Sequence, residues 1–318
     1  MRIGDHDIDG QVLFAPMAGV SDRPCRQISV DYGAALATSE MLISDTQLWH
    51  STKSQTRLNF NDNPGLISVQ IAGSDAQQMA AAARELEQRG VQIIDINLGC
   101  PAKKVCGAAA GSALLRDLPR VKSLLNAVVS AVSIPVTIKT RTGWDRDSIT
   151  AVELAQMADA LGIQAMTLHG RTRQQHFKGQ AEHDTLARVR EVTDMPLIAN
   201  GDIDSPQKAQ QILANTGADA VMIGRAAQGN PWLIEACDRT LRGLATRTHI
   251  PTQERLDVMR QHLRSLHQFY GEFTGVRFAR KHLRWYWDNA GWDSQALANF
   301  NRIDQAIEQL HWLETNAA

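Results

Sequence analysis

Eight short apolar runs, each followed by a polar or Gly-containing turn and then helical periodicity, predict an α/β fold of eight strand–helix units. The runs are Val12–Met17, Ala34–Ser39, Leu66–Ile71, Ile93–Leu98, Pro135–Lys139, Ala165–Leu168, Pro196–Ala199 and Ala220–Ile223. Their unbroken apolar character suits parallel strands buried on both faces. Eight units within about 240 residues fit a TIM (β/α)8 barrel better than an open doubly-wound sheet. No G-x-G-x-x-G follows the first run, which weakens the dinucleotide-binding alternative. Beyond roughly residue 243 only helical periodicity remains, which predicts a small C-terminal all-helical domain.

Taken in order, the intervening segments carry helix signals. The segment from Asp75 begins at an N-cap residue and stops at Gly90, and Ser148 to Leu161 stops at Gly162. Asp204 and Ser205 precede Pro206, which suits a first helical position. Gly243–Pro251 reads as a linker, followed by helices over Thr252–Tyr270, Val276–Asn289 and Ser294–Thr315. Four of the seven tryptophans, Trp285, Trp287, Trp292 and Trp312, fall in this last part. Residues 1–243 are therefore assigned to the barrel and 244–318 to the helical domain.

Composition is that of an ordinary water-soluble chain, 43% apolar and 21% charged. No run approaches the roughly 18 apolar residues that span a bilayer, so no membrane association is expected. The N-terminal MRIGDHDIDG is acidic and has no apolar stretch, so a secretory signal is not expected and the cytoplasm is the default. The spacing of Cys25, Cys100, Cys106 and Cys237 fits no zinc pattern, so no metal is expected and the thiols are read as reduced. Nothing suggests an assembly, so a monomer is expected. Net charge is −1, yet ten Lys/Arg against three Asp/Glu lie between Arg239 and Trp285, a local excess of +7. Such asymmetry points to an anion-binding surface, although a solvated helix face has the same signature.

In a barrel of this kind functional groups sit at the C-terminal ends of the strands. Those ends read Pro16-Met17-Ala18-Gly19, Glu40-Met41, Gln70, Asn97-Leu98-Gly99-Cys100-Pro101, Lys139 with Arg141, His169-Gly170-Arg171, Asn200-Gly201-Asp202 and Gly224-Arg225. Burying so many polar groups without a ligand would be costly. Loops after strands seven and eight often bind phosphate, and Asn200-Gly201-Asp202 with Gly224-Arg225 supplies glycines for close approach and a cation. Simple turn chemistry is the plainer explanation for either loop alone. Lys139 suits either a Schiff base or a fixed charge beside a bound cofactor, unless a carboxylate such as Glu40 simply neutralises it. Cys100, between Gly99 and Pro101, suits a general acid, or a nucleophile if a base lowers its pKa. Cys25, Cys106 and Cys237 lack such a setting and are read as structural.

These motifs together resemble the tRNA-dihydrouridine synthases, most closely the bacterial B-type subfamily. The carrying segments are Ala15-Pro-Met-Ala-Gly-Val-Ser-Asp, Val69-Gln-Ile-Ala-Gly, Asp95-Ile-Asn-Leu-Gly-Cys-Pro-Ala-Lys-Lys-Val, Lys139-Thr-Arg-Thr-Gly-Trp, Leu168-His-Gly-Arg-Thr-Arg, Ile198-Ala-Asn-Gly-Asp-Ile and Met222-Ile-Gly-Arg-Ala-Ala-Gln-Gly. Phe278-Ala-Arg-Lys-His fits in the helical part. The resemblance implies an enzyme with FMN at the barrel mouth, NADPH as reductant and tRNA as substrate. It implies that Pro16, Met17 and Ala18 underlie the flavin ring and that Gln70 and Lys139 meet its polar edge. His169, Asn200, Gly201, Asp202, Gly224 and Arg225 would hold the phosphate end. Asn97 and Arg141 would face the uracil, Cys100 would protonate it, and Arg277, Arg280 and Lys281 would meet tRNA. One departure is Cys106-Gly107-Ala108, where many members carry Asn after the valine. Rival expectations are a flavoenzyme acting on a free pyrimidine, a Schiff-base aldolase and a non-catalytic tRNA-binding protein.

Overall fold

The computed structural model describes residues 1–60 and 63–316. An N-terminal hairpin, β1 (Arg2–Ile3) and β2 (His6–Asp7), precedes a parallel sheet. Its strands are β3 (Val12–Phe14), β4 (Leu36–Ala37), β5 (Leu42–Ile43), β6 (Ser68–Ala72), β7 (Ile93–Leu98), β8 (Val136–Arg141), β9 (Ala165–His169), β10 (Leu197–Asn200) and β11 (Ala220–Ile223). The sheet order is β4-β3-β11-β10-β9-β8-β7-β6-β5. Its two ends, β4 and β5, belong to one stretch of chain, and Thr38 between them bridges to Ser68 on β6. The sheet therefore closes on itself, which removes the exposed edges an open sheet would leave. Each of the eight predicted runs overlaps a barrel strand, with β5 lying just past the second run. The second is split because the chain leaves β3 after two pairs and joins β6 further along.

Alternation across the strands makes two cores. Leu13, Ala15, Ile93, Ala165, Ile198, Ala220 and Met222 fill the barrel interior, closed below by Ile3 and Ile8 of the hairpin. A larger apolar layer lies between the strands and the surrounding helices. These are α1 (Arg23–Asp31), α2 (Thr52–Arg57), α3 (Ala76–Gln88), α4 (Lys103–Gly107), α5 (Leu118–Val129), α6 (Ala151–Ala160), α7 (Asp184–Arg190), α8 (Pro206–Thr216) and α9 (Pro231–Leu241). The expected caps form. Asp75 accepts from the Gln78 N–H at 2.8 Å, and Ser205 accepts from the Lys208 N–H at 3.3 Å with Pro206 following it.

Past α9 the chain is irregular to Pro251, and Arg247 there pairs with Glu235 and with Glu254 at 2.7 Å. The helix α10 (Thr252–Ala290) is interrupted at Gly271, whose φ of 72° and ψ of 167° are not helical. His262 and His282 show how sharp the interruption is. On a continuous helix they would stand about 30 Å apart at ~1.5 Å per residue, yet their ring centroids are 4.6 Å apart. The two halves therefore fold back as an antiparallel hairpin, at the gap expected between Tyr270 and Val276. The last expected helix is broken into α11 (Leu297–Phe300) and α12 (Ala306–Asn316). Phe300 and Trp312 would lie about 18 Å apart on one helix, whereas the break brings their rings to 5.1 Å in a shared core. That core also takes in Ile28 of α1 and Trp232 of α9.

Gly229, in the turn before α9, packs directly on the α10 backbone at Trp285 and Tyr286 with φ of 64°. Replacing it with Ala should destabilise the chain by roughly 2–3 kcal/mol. Chemical denaturation of Gly229→Ala against wild type reads this directly, and an unchanged midpoint would show that the two layers can separate at little cost.

Candidate active site at the barrel mouth

A cavity of about 640 Å³ opens at the C-terminal ends of the strands. Pro16, Met17, Ala18, Gln70, Asn97, Cys100, Lys139, Arg141, His169, Asn200, Gly201, Asp202, Gly224 and Arg225 all border it. The sheet brings these residues together from positions spread across more than two hundred residues of chain. Arg277, Arg280 and Lys281 do not border it. They form one stripe on the second half of α10, with Arg284 continuing it. Arg277 and Arg284 are exposed, while Arg280 donates to the Ile303 carbonyl at 3.0 Å and Lys281 donates to the Gly19 carbonyl.

The Pro16–Gly19 loop is held from several sides. The Met17 N–H donates to Ser21 Oγ at 2.8 Å, and that hydroxyl donates to the Ala15 carbonyl at 2.6 Å. Glu40 accepts from the Gly19 N–H and pairs with Arg57 at 2.8 Å. Glu40 therefore serves this loop and not Lys139.

Four buried polar residues on neighbouring strands form a chain of hydrogen bonds. Thr137 donates to Asp95 at 2.7 Å, Gln70 donates to Asp95 at 2.7 Å, and Asn97 donates to Gln70 Oε1 at 2.7 Å. Asn97 Oδ1 then accepts from the Gly99 N–H at 3.2 Å and the Cys100 N–H at 2.9 Å. Burial pushes the Asp95 carboxyl up, against the pull of the Gln70 and Thr137 hydrogen bonds and of Lys139. Sequence reasoning gave Asp95 no role, although its place two residues before Asn97 on an inward-facing strand position was a usable signal.

The Cys100 carbonyl accepts from Ser112 Oγ at 2.9 Å, and the Cys106 thiol lies 3.6 Å from the same oxygen. Gly111, with φ of 60°, presses against the Cys100 backbone, where an added Cβ would meet the carbonyl oxygen at 2.9 Å. Cys106, together with Gly111 and Ser112 just beyond it, thus braces Cys100 from behind. Burial raises the thiol pKa despite Arg141 nearby, so the Cys100 thiol stays protonated near neutrality. That favours the acid over the nucleophile.

Lys139 donates to Asn200 Oδ1 at 2.8 Å, and Asn200 donates onward to the Met222 carbonyl at 2.7 Å. Burial, with Arg141 adding repulsion, lowers Lys139 to about 8. That leaves the amine mostly protonated at pH 7, as a fixed charge beside a cofactor requires. The same surroundings hold His169 well below its usual range, chiefly through burial, so the imidazole is neutral.

Arg141 donates to the Gly99, Thr172 and His176 carbonyls at 2.7, 2.9 and 2.8 Å. It thereby ties the Cys100 turn to the loop after β9. Arg171, fully buried, pairs with Asp202 at 2.5 Å, and Arg225 reaches the same carboxylate at 3.5 Å. Burial opposes that carboxylate, but the Arg171 and Ala181 N–H hydrogen bonds outweigh it and lower its pKa. Gly201 (φ 118°) has no room for a side chain, since a Cβ would meet Ala181 at 2.8 Å and His169 at 2.9 Å. Phe177 hangs over this end, half-exposed, with the guanidinium of Arg225 4.6 Å and that of Arg141 5.3 Å from its ring centre. Neither Phe177 nor Arg171 had a role from sequence, because a loop aromatic and a buried cation show no periodicity.

A family model for dihydrouridine synthase (Dus) matches residues 13–318. The chain is 49% identical to a tRNA-dihydrouridine synthase B of Vibrio cholerae over 314 residues, covering 99% of this chain and 98% of that one. It is 50% identical to a tRNA-dihydrouridine synthase B of Proteus vulgaris, covering 99% and 97%. Among solved structures, a variant of NCR from Zymomonas mobilis superimposes with a TM-score of 0.54 at 17% identity, covering 80% of this chain and 93% of that one. A 2-naphthoyl-CoA reductase complex gives 0.59 at 10% identity, covering 77% and 52%. These last two likenesses are of fold alone.

Alkylation of Cys100, followed by peptide mass spectrometry across pH, should rise with a midpoint above the ordinary thiol value of about 8.5. A midpoint below 7.5 would mean that the thiolate is the resting form and would remove the acid.

Proposed function

This chain belongs to the dihydrouridine synthase family, and on that footing we propose that it reduces the C5–C6 double bond of uridines in tRNA. The cofactor in this reading is FMN, reduced by NADPH, and the protein works in the cytoplasm on tRNA. The single observation that carries the reading is the placement of a protonated thiol, a buried ammonium and a glycine-lined cationic end around one cavity. A volume of about 640 Å³ lies within the ~300–1,000 Å³ usual for cofactor sites. That volume, with this donor set, suits a flavin carrying one phosphate. Pro16, Met17 and Ala18 would form the bed for its ring, and Gln70 and Lys139 would meet its polar edge. His169, Asn200, Gly201, Asp202, Gly224 and Arg225 enclose the phosphate end. There Arg171 neutralises the Asp202 carboxylate, so that Arg225 and the backbone N–H groups face the anion.

FMN bound here would supply the reducing equivalent, a hydride for uracil C6. The chain's own residues do the rest. Lys139, held by Asn200, would place a positive charge beside the polar edge of the ring. Asn97, fixed by Gln70, and Arg141, fixed by three carbonyls, present polar groups to the uracil edge. Cys100 gives its proton to C5, which with the hydride at C6 completes the reduction, and solvent then restores the thiol. A uridine in folded tRNA must leave its stack first, at a cost of a few kcal/mol. The stripe of Arg277, Arg280 and Lys281 offers compensating phosphate contacts.

Cys100→Ala should retain flavin and NADPH oxidation but slow dihydrouridine formation about 10²–10⁴-fold. Single-turnover assays with reduced enzyme measure this, and an undiminished rate would remove Cys100 from the reaction. For the RNA surface, Arg277→Ala combined with Arg284→Ala should weaken tRNA binding and lower the salt slope by about one unit per side chain. Both are exposed, so the fold should be unaffected. An unchanged slope would move the RNA surface off this stripe.

A further inference from the structure

A second cluster lies away from the barrel mouth, where α1 meets the α10 hairpin. Among the described residues, Cys25, His262 and His282 are brought together so that their ligand atoms all lie within 4.8 Å of one another. Both imidazoles are 2% exposed. The Nε2 atoms of both are buried and have no hydrogen-bond partner. Two orphaned nitrogens in one place are costly, each on the order of 1–3 kcal/mol, so something polar should meet them. All three residues line a small cavity of about 10 Å³, bounded also by Val20, Gly229 and Tyr286. That is near the ~10–15 Å³ that a single small occupant needs.

From this geometry we infer a divalent metal site of zinc-like character, with Cys25 Sγ, His262 Nε2 and His282 Nε2 as protein ligands. Thiolate and imidazole are the donors such an ion takes, and a water in the cavity would complete four-coordination. Zinc–nitrogen bonds of about 2.0–2.1 Å and zinc–sulfur bonds of about 2.3 Å imply ligand–ligand edges near 3.5 Å. The three side chains therefore close by on the order of 1 Å. His262 Nδ1 lies 3.1 Å from the Tyr286 hydroxyl, an outer partner of the kind that leaves Nε2 free to ligate. Burial also keeps both imidazoles neutral, as ligation requires. Burial raises the Cys25 thiol pKa, with the carboxylates of Asp22 and Glu40 acting the same way and the cations of Arg26 and Lys281 opposing them. Metal binding must therefore expel the thiol proton to solvent, one proton per ion. Cysteine spacing gave no sign of such a site, because its ligands come from α1 and from both halves of a helix that reverses at Gly271.

The test uses the full chain with its flavin. Purified protein should hold about one zinc per chain by elemental analysis. After chelator treatment, Co²⁺ added alone should give tetrahedral bands at wavelengths beyond flavin absorption. Cys25→Ser should abolish those bands, and Tyr286→Phe should weaken Co²⁺ binding about 10–100-fold. Absence of both zinc and cobalt bands in the wild type would overturn the site and leave the cavity to water. Bands that survive Cys25→Ser would overturn it equally. Should Cys25→Ser fail to fold, the wild-type titration and Tyr286→Phe decide the matter.

Discussion

The mouth of this barrel depends on the buried chain that runs from Thr137 through Asp95, Gln70 and Asn97 to the Cys100 N–H. Each member is shielded from water, so each is affordable only while its neighbours satisfy it. The chain spans three adjacent strands, β6, β7 and β8, and fixes their relative height. It also fixes the turn that carries the thiol. Removing one amide would strand donors or acceptors on both sides. The Cys100 turn is thus positioned by hydrogen bonds that reach back to β6 and β8.

Much of this was legible from sequence, because strand periodicity and the ends of strands are local signals. Gln70, Asn97, Lys139 and Asn200 could be placed at the mouth without knowing their partners. What could not be read was pairing. Glu40 was a candidate partner for Lys139, but the split of the second strand carries Glu40 to Arg57 and the Gly19 loop. Asp202 was read as one of the phosphate-end residues, but sequence gave no sign that its carboxylate holds Arg171 and Arg225. Phe177 sits in a loop of thirteen residues' reach from β9 to Glu182, where apolar character carries no period. Arg280 and Lys281 looked like free surface charge because helical spacing says nothing about what a neighbouring loop offers.

The helical part owes its shape to reversals instead of to length. Gly271 turns α10 back on itself, and the break before α12 returns Trp312 to Phe300. Both reversals serve one apolar core, and that core recruits Ile28 and Trp232 from the barrel's own helices. The two parts therefore share buried surface, and Gly229 allows their backbones to touch.

The bond from Lys281 to the Gly19 carbonyl joins the basic stripe to the loop that floors the cavity. A polyanion arriving on the stripe would compete for that ammonium and so loosen or shift the floor. By linkage, whatever factor this imposes on the cofactor's hold, the cofactor must impose in return on the polyanion. The stripe and the cavity floor would then answer to each other as one unit, whichever is engaged first.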